Sequence, residues 1–204
     1  MLRCKTDQLY RKRARFSGFA REPIPAPCGR DGNPLRRRGV SAEKAAMATH
    51  YYTVTWDQLH RDARALAWRL MNLGTFQGIV AVTRGGLIPA AIIARELDLR
   101  LVESVSIVTY EDEERGEPQV SKHPTAAGDG TGFLIVDDLV DSGTTARVVR
   151  GLLPKAHFAC IYAKPAGRDL IDSFVTEVSQ DTWILFPWDT EPQFILPLAR
   201  RGTP

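Results

Sequence analysis

A string of thirteen residues, FLIVDDLVDSGTT at 133–145, contains the side chains best suited to chemistry. Its apolar first half predicts a buried strand, and this strand carries two adjacent carboxylates, Asp137 and Asp138, toward its carboxyl end. Open α/β sheets place their ligands at that end. The carboxylates suit either the vicinal hydroxyls of a ribose or a magnesium ion that is held together with phosphate oxygens.

The Ser-Gly-Thr-Thr turn at 142–145 follows closely and opens a predicted helix. Such a turn directs backbone N–H groups and hydroxyl groups to one point, with the positive end of the helix dipole behind them. That point suits a phosphate monoester. Sugar hydroxyls beside a phosphate indicate a site for a phosphoribosyl group.

The elements that must position this string alternate between strands and helices. Runs of apolar residues predict strands at 78–82, 133–136 and 157–163, and a mixed alternation of apolar and polar residues predicts another at 102–109. Helical patterns lie between them, at 89–97 and from 145 to about 153. This alternation predicts a parallel sheet that is covered on both faces.

A further helix is predicted before the first of these strands. Thr55 and Gln58 fit a capping box at its start. Apolar residues then recur at spacings of four and three on one face, namely Leu59, Ala63, Leu66, Leu70 and Leu73. Gly74 stands where a C-terminal cap is expected.

Two regions lack a regular pattern. Residues 110–132 are rich in Glu, Gly, Asp and Pro, and a stretch of that length inside a compact domain predicts a functional lid. The tail from Trp183 onward is aromatic and rich in proline, and it predicts a smaller irregular cap.

The 133–145 string resembles the phosphoribosyl-diphosphate signature of the type I phosphoribosyltransferases. Three further segments resemble the bacterial xanthine-guanine branch of that family: AVTRGGL at 81–87, IYAKPAGR at 161–168, and QDTWI at 180–184 with FPW at 186–188. The resemblance extends from about Tyr52 to about Pro197. It implies the type I phosphoribosyltransferase fold, which is an α/β fold whose central, mostly parallel sheet is flanked by helices and topped by a small C-terminal hood.

The resemblance also implies a function. Enzymes of this branch act in purine salvage and transfer a 5-phosphoribosyl group from phosphoribosyl diphosphate to N9 of guanine or xanthine, and less well of hypoxanthine. The products are GMP, XMP or IMP and pyrophosphate, and the cofactor is Mg²⁺. A homotetramer in the cytoplasm, at most peripherally associated with the inner membrane, is typical of the branch.

The same resemblance implies the contacts with phosphoribosyl diphosphate. Arg84 and Gly85 match a turn that holds the diphosphate and often contains a non-proline cis peptide. Asp137 and Asp138 match the ribose-binding pair, and Asp138 is the expected metal contact. The full set of expected contacts is Arg84, Gly85, Asp137, Asp138, Leu139, Val140, Asp141, Ser142, Gly143, Thr144 and Thr145. Thr144 replaces a residue that is more often glycine in this branch.

On the purine side, Asp141 matches a residue that faces N7, where it either accepts the proton or stabilises it. Lys164 matches a contact of the exocyclic O6, and an ammonium group that only donates selects 6-oxopurines over adenine. Trp183 would stack on the base, and the carbonyl of Ile184 would meet the 2-substituent. Arg115, in the long loop, would lie near the diphosphate.

Charge divides the chain into two parts. Residues 1–46 contain 12 Lys and Arg against 4 Asp and Glu, whereas residues 47–204 contain 15 against 20. We predict that 1–46 form a basic, largely disordered extension and that 47–204 form the phosphoribosyltransferase domain. The extension fits three roles: a targeting peptide, a tail for RNA or anionic lipid, or an upstream segment of a protein that works from about Met47.

Composition narrows the remaining choices. No run of 18 apolar residues is present, and the three cysteines are too scattered for a disulfide framework, which favours a reducing compartment. The acidic body argues against a nucleic-acid partner. A regulator that only senses phosphoribosyl diphosphate is the alternative to an enzyme. Asp141, Lys164 and Trp183 favour the enzyme, because a sensor needs no purine clamp.

Overall fold

The computed structural model of the chain describes residues 50–109 and 118–189. The basic extension, the predicted boundary at 46/47, Arg115 and the end of the chain after Asp189 lie outside these residues.

The described residues form eight strands and four α-helices. The strands are β1 (His50–Thr53), β2 (Gly78–Thr83), β3 (Val102–Thr109), β4 (Pro118–Lys122), β5 (Phe133–Val140), β6 (His157–Ala163), β7 (Ser173–Glu177) and β8 (Thr182–Leu185). The helices are α1 (Trp56–Met71), α2 (Leu87–Glu96), α3 (Thr144–Leu152) and the single turn α4 (Pro165–Arg168). None of these helices is long and apolar enough to cross a bilayer.

Six strands form the central sheet in the order β4-β3-β2-β5-β6-β7. All neighbours are parallel except β3 and β4, which are antiparallel. The prediction of a mostly parallel sheet flanked by helices is therefore confirmed. Because β2, β5 and β6 lie side by side, the residues that follow them meet at one edge.

Both faces of the sheet are covered, and β5 shows how one strand serves both. Leu134 and Val136 pack with α1 and α2 in one hydrophobic cluster, whereas Ile135 packs with α3 in a second cluster on the other face. All three side chains are fully buried. A strand buried on both faces explains why its sequence is a continuous apolar run.

The first helix follows its prediction except at its end. Thr55 Oγ1 accepts a hydrogen bond from the backbone N–H of Gln58 at 3.2 Å, as a capping residue does. The helix ends at Met71 with Asn72 as the cap, so Gly74, the predicted cap, lies beyond the actual one. Leu73 is consequently 57% exposed, and its assignment to the buried face is wrong.

Part of the predicted lid is regular structure. Pro118–Lys122 form the edge strand β4, and Thr125–Ala127 form a 3₁₀ turn. The expectation of a structureless stretch over 110–132 is therefore wrong for these residues. Their alternating exposure is that of an edge strand, whose outer side chains are polar and give no apolar run.

The hood is a second, two-stranded sheet in which β1 and β8 pair in parallel. Val54, directly after β1, is buried and donates its N–H to the carbonyl of Leu185 at 2.9 Å. The prediction of an irregular cap from Trp183 onward is wrong for 183–185, which belong to strand β8. One of the hood's two strands comes from residues that precede α1.

Candidate active site

The predicted site residues surround the carboxyl ends of three adjacent strands. The turn at 84–86 follows β2, the 137–145 segment runs from the end of β5 into the start of α3, and Lys164 follows β6. Strand β5 extends through Val140, so Asp137 and Asp138 lie within the strand instead of terminating it. Ligands of open parallel sheets bind at this edge.

The turn after β2 packs directly against the β5 carboxylates. A Cβ atom at Gly85 would collide with the carboxylate of Asp138, and one at Gly86 would collide with the carbonyl oxygens of Val136 and Val82. Only glycine permits this close approach. The peptide bond between Thr83 and Arg84 is cis, as the resemblance implied. The turn and β5 therefore form one side of the site together.

The two adjacent carboxyl groups have perturbed acidity. Burial raises the pKa of Asp137 well above its ordinary value, and the neighbouring charge of Asp138 raises it further. Burial also raises the pKa of Asp138, to about 6, and the charge of Asp189 adds to this rise. Asp137 Oδ1 accepts the backbone N–H of Asp138 at 3.0 Å. The raised pKa values mean that ionising both carboxyl groups is unfavourable without a partner, so this part of the site favours a bound cation or a hydroxyl donor.

The 142–145 turn encloses a small cavity at the start of α3. Gly143 precedes the helix with φ +80°, and a Cβ there would collide with the side chain of Leu170. The hydroxyls of Ser142 and Thr144 lie 3.1 Å apart. The cavity has a volume of about 120 Å³ and is bounded by Asp137, by residues 139–146 and by Phe158. Its position at a helix N-terminus suits an anion of phosphate size.

Lys164 and Asp141 form an ion pair next to this cavity. Lys164 Nζ lies 3.3 Å from Asp141 Oδ1, and the lysine side chain is 6% exposed whereas that of Asp141 is 35% exposed. The backbone N–H of Lys164 donates to the carbonyl of Val140 at 2.9 Å, which fixes the start of the lysine side chain relative to β5. Lys is almost never fully buried unless it is paired, and the partner of the buried Lys164 in this structure is Asp141.

The hood contributes the remaining described candidates. Trp183 is half-buried and Ile184 is buried, and β8 holds them opposite Tyr51 and Tyr52 of β1. Arg115 lies outside the described residues, so its contact near the diphosphate stays a prediction.

Two polar residues of the site escaped the sequence analysis. Gln180 Nε2 donates to Asp141 Oδ1 at 2.7 Å, and Gln180 Oε1 accepts the N–H of Ala166 at 3.0 Å. Asp189 lies close enough to Arg84 and Asp138 for their charges to influence one another, and burial raises its pKa. Gln180 is the first residue of the segment at 180–184 that the resemblance singled out, and Asp189 directly follows the one at 186–188, so their place in the sequence was the available signal.

A larger cavity lies elsewhere, between α2 and the start of β3. It measures about 730 Å³ and is bounded by apolar side chains of α2 and by charged groups that include Arg95, Arg100 and Lys122. It contains none of the predicted site residues.

A carboxylate pair within a central strand, followed by a phosphate-sized cavity at a helix start, is the arrangement that the resemblance to type I phosphoribosyltransferases implied. The phosphoribosyl transferase domain model matches residues 55–195. The chain belongs to this family.

Individual relatives narrow the resemblance. The chain is 65% identical over 164 residues to the xanthine-guanine phosphoribosyltransferase of Gluconobacter oxydans, covering 79% of this chain and 98% of that protein. It is 61% identical to the enzyme of the same name from Desulfotalea psychrophila over 74% of this chain and 93% of that one. The predicted resemblance to this branch is confirmed.

A solved structure supports the fold. The purine phosphoribosyltransferase of Pyrococcus horikoshii superimposes with a TM-score of 0.62 at 29% identity, over 70% of this chain and 96% of that chain. The predicted type I fold is confirmed.

Proposed function

We propose that this chain is a purine salvage enzyme that transfers the 5-phosphoribosyl group of phosphoribosyl diphosphate to N9 of guanine or xanthine, and less well of hypoxanthine. GMP, XMP or IMP and pyrophosphate are the products. Relatives that are 61% and 65% identical carry the name xanthine-guanine phosphoribosyltransferase. The observation that carries the proposal is the ion pair of Lys164 with Asp141 beside the phosphate-sized cavity.

Lys164 selects the purine in this proposal. Its ammonium group can donate to a 6-oxo oxygen but cannot accept a hydrogen bond from a 6-amino group. Because the side chain is buried, an adenine at this place would leave both the ammonium and the amino group without a proper partner. Guanine, xanthine and hypoxanthine all present the required oxygen.

Asp141 acts at N7 of the same base. The carboxylate lies beside Lys164 at 3.3 Å, so one residue can contact O6 while the other contacts the neighbouring N7. A carboxylate at N7 accepts or stabilises the proton there as N9 becomes the nucleophile. Trp183 stacks on the base from the hood, and the Ile184 carbonyl meets its 2-substituent.

The 141–145 segment binds the 5′-phosphate in this arrangement. Backbone N–H groups at the start of α3 and the hydroxyls of Ser142, Thr144 and Thr145 supply donors around the cavity. Thr144, where the branch more often has glycine, leaves its backbone N–H in place, so binding through that N–H is retained. Asp137, at the edge of the same cavity, and the adjacent Asp138 then accept hydrogen bonds from the ribose hydroxyls.

Mg²⁺ fits the β5 carboxylates when the substrate supplies further ligands. Asp138, with Asp137 beside it, offers the hard oxygen donors that Mg²⁺ prefers, and burial leaves their charge poorly compensated. No group of three or more His, Cys, Asp or Glu within residues 50–109 and 118–189 is placed to hold a metal alone. When bound, Mg²⁺ neutralises charge on the departing pyrophosphate.

Arg84 and Gly85 bind the diphosphate from the β2 side. Arg84 is exposed and directly precedes Gly85, which packs closely on the carboxylate of Asp138. A guanidinium there stabilises the negative charge that develops on pyrophosphate as the C1′–O bond breaks. Arg115 is proposed to assist from the loop.

The partners in this proposal are the purine base, phosphoribosyl diphosphate and other copies of the chain, and no nucleic acid. Large apolar side chains are exposed at one face of α2 and at the adjacent start of β3, where Leu87 is 46% and Val102 is 54% exposed. Such a face favours a homo-oligomer, which we propose is a tetramer. Light scattering on the purified protein should give four chain masses. A monomer would contradict this.

We propose that the enzyme works in the cytoplasm, at most peripherally associated with the inner membrane. Cell fractionation should recover the protein in the supernatant or release it from membranes with high salt. Retention after a salt wash would contradict the proposal.

The decisive test of function is product formation. The protein is incubated with phosphoribosyl diphosphate and Mg²⁺ and with guanine, xanthine, hypoxanthine or adenine in turn, and nucleotides are separated by chromatography. GMP and XMP should form readily, IMP more slowly and AMP not at all. Failure to form any nucleotide with the three 6-oxopurines would refute the proposed function.

A further inference from the structure

Gln180, in the connection between β7 and β8, joins the two residues that are proposed to contact the purine. Its side-chain nitrogen donates to Asp141 Oδ1 at 2.7 Å, and its own backbone carbonyl lies 3.5 Å from Lys164 Nζ. The same Asp141 oxygen lies 3.3 Å from Lys164 Nζ. Gln180, Asp141 and Lys164 thus form a closed polar triangle.

A third contact fixes which end of the amide faces Asp141. The backbone N–H of Ala166, in α4, donates to Gln180 Oε1 at 3.0 Å. A backbone N–H can only donate and an ionised carboxylate can only accept, so the amide oxygen must face Ala166 and the NH₂ group must face Asp141. In the reversed amide, the NH₂ group would face the Ala166 N–H, which also donates, and the amide oxygen would face the Asp141 carboxylate, which also accepts.

We propose that Gln180 is a positioning residue for the purine-binding pair. Its amide holds the Asp141 carboxylate in one orientation through Oδ1, and its backbone carbonyl helps to direct the Lys164 ammonium group. This inference rests on the proposed function, because it assigns Gln180 to the orientation of groups that act at N7 and O6.

The physical need for such a residue follows from exposure. Asp141 is 35% exposed, and burial alone does not fix a carboxylate that is open to solvent on one side. A lysine partner is a weak orienting device, because an ammonium group on a flexible stem attracts a carboxylate from many directions. A planar amide anchored at its other end has a defined direction, and small errors in geometry at a reacting group are costly.

Two substitutions separate this role from that of a plain structural contact. Gln180→Glu retains an oxygen that accepts the Ala166 N–H but removes the donor to Asp141, whereas Gln180→Met removes both contacts at similar size. We expect both variants to lower kcat with guanine about ten-fold, a loss typical of one hydrogen bond to a charged group. KM for phosphoribosyl diphosphate should change less than about two-fold, since Gln180 touches none of its proposed contacts other than Asp141.

Gln77→Glu is the matched control, because Gln77 is an exposed glutamine just before β2, at the opposite end of the sheet. It should retain wild-type kcat. Wild-type kcat in either Gln180→Glu or Gln180→Met would overturn the proposal, since the donated hydrogen bond would then be dispensable. An equal loss in the Gln77→Glu control would do the same, because the loss would then not depend on the contact with Asp141.

A double-mutant cycle tests whether Gln180 acts through Asp141. Gln180→Met should lower kcat about ten-fold in the wild-type background and have little effect when Asp141 is already Asp141→Ala. Equal losses in both backgrounds would overturn the proposed coupling. Wild-type nucleotide formation is measured in parallel, so failure of the proposed function appears as an inactive wild type, and failure of this inference appears as an active enzyme that is indifferent to Gln180.

Discussion

The two ends of the central sheet hold charged residues in opposite ways. At the carboxyl end, Asp137 and Asp138 are adjacent on β5, and burial raises the pKa of both carboxyl groups. At the amino end, Arg150 of α3 donates to the carbonyls of Leu170 and Ala156 and to the carboxylate of Asp172. The first group concentrates like charges, whereas the second satisfies its charges internally.

This difference separates binding from stability. At the amino end, the backbone N–H of Phe158 also donates to the Asp172 carboxylate at 2.7 Å. The Arg150 guanidinium lies 5.5 Å from the centre of the Phe158 ring. These contacts connect α3 to the sheet, and the charged groups are paired with each other without a ligand. The carboxyl end retains a cost of desolvated charge that a substrate with its cation can relieve. Substitutions at the two ends should therefore affect different quantities.

The largest effect is expected for Asp141→Asn. Removing the carboxylate that we propose to act at N7 should lower turnover by about 10²–10⁴-fold, while affinity for phosphoribosyl diphosphate changes far less. Steady-state kinetics with guanine measures both. Wild-type turnover in the purified variant would show that Asp141 does not act at the purine.

Lys164→Gln should have the next largest effect. A neutral amide can both donate and accept, so discrimination between 6-oxopurines and adenine should relax. Loss of a charged hydrogen bond should weaken guanine binding by about 1.5–3 kcal/mol. Calorimetric titration of guanine and adenine checks this prediction, and unchanged affinities for both bases would remove Lys164 from the purine contacts.

Arg150→Met should affect stability and leave catalysis intact. The substitution leaves the carbonyls of Leu170 and Ala156 and the carboxylate of Asp172 without the Arg150 donor. This loss should lower the free energy of unfolding by about 2 kcal/mol. Urea denaturation measures the loss, and kcat should remain at the wild-type value. Arg100→Met is the control, because Arg100 is 91% exposed and pairs only at the surface. Equal losses in the two variants would contradict the importance of the network.

A smaller effect is expected from pH. Burial lowers the pKa of His157, the Asp172 charge opposes this and the Arg150 charge adds to it. Because the folded pKa lies below the unfolded value of about 6.5, the unfolded state takes up protons first, so this contribution to stability is present above that pH and is lost as the pH falls. His157→Gln should flatten the decline of unfolding free energy between about pH 7 and 5. An unchanged slope would contradict the assignment.

The smallest effect is expected for removal of residues 1–46, which we propose to be an extension with no role in catalysis. A chain that begins at Met47 should keep wild-type kcat and melting temperature, because the proposed contacts lie between Arg84 and Ile184. A chain that begins at Val54 is the informative comparison, since it lacks β1 and with it half of the hood. It should melt at a lower temperature and bind guanine more weakly. Equal behaviour of the two truncated chains would show that β1 is dispensable.

The sequence predicted the elements that are buried on both sides and missed those at edges. β6 has the predicted limits, because a continuous apolar run marks a strand in the interior of a sheet. β3 also has the predicted limits, although its apolar and polar residues are mixed and only Val105 among its described side chains is fully buried. β1, β4, β7 and β8 were not predicted as strands, since they are short and lie at an edge of a sheet or in the hood. In β1, β4 and β7 the side chains are mostly exposed or half-buried and show no apolar run.

The site was predictable where its chemistry is local. Asp137, Asp138 and the turn at 142–145 lie within thirteen residues, so their types and spacing alone indicate a candidate site for a phosphoribosyl group. Gln180 was missed because its partner Asp141 lies 39 residues away, and a glutamine in a polar connection has no distinctive pattern. Only the packing of the β7–β8 connection against the ends of β5 and β6 makes it part of the site.

A crystal structure of the protein with GMP tests the central claim most directly. The account predicts the 5′-phosphate in the cavity at the start of α3, the ribose hydroxyls at Asp137 and Asp138, and the 6-oxo oxygen within about 3 Å of Lys164 Nζ. GMP bound in the larger cavity between α2 and the start of β3, or with its 6-oxo oxygen remote from Lys164, would contradict the account.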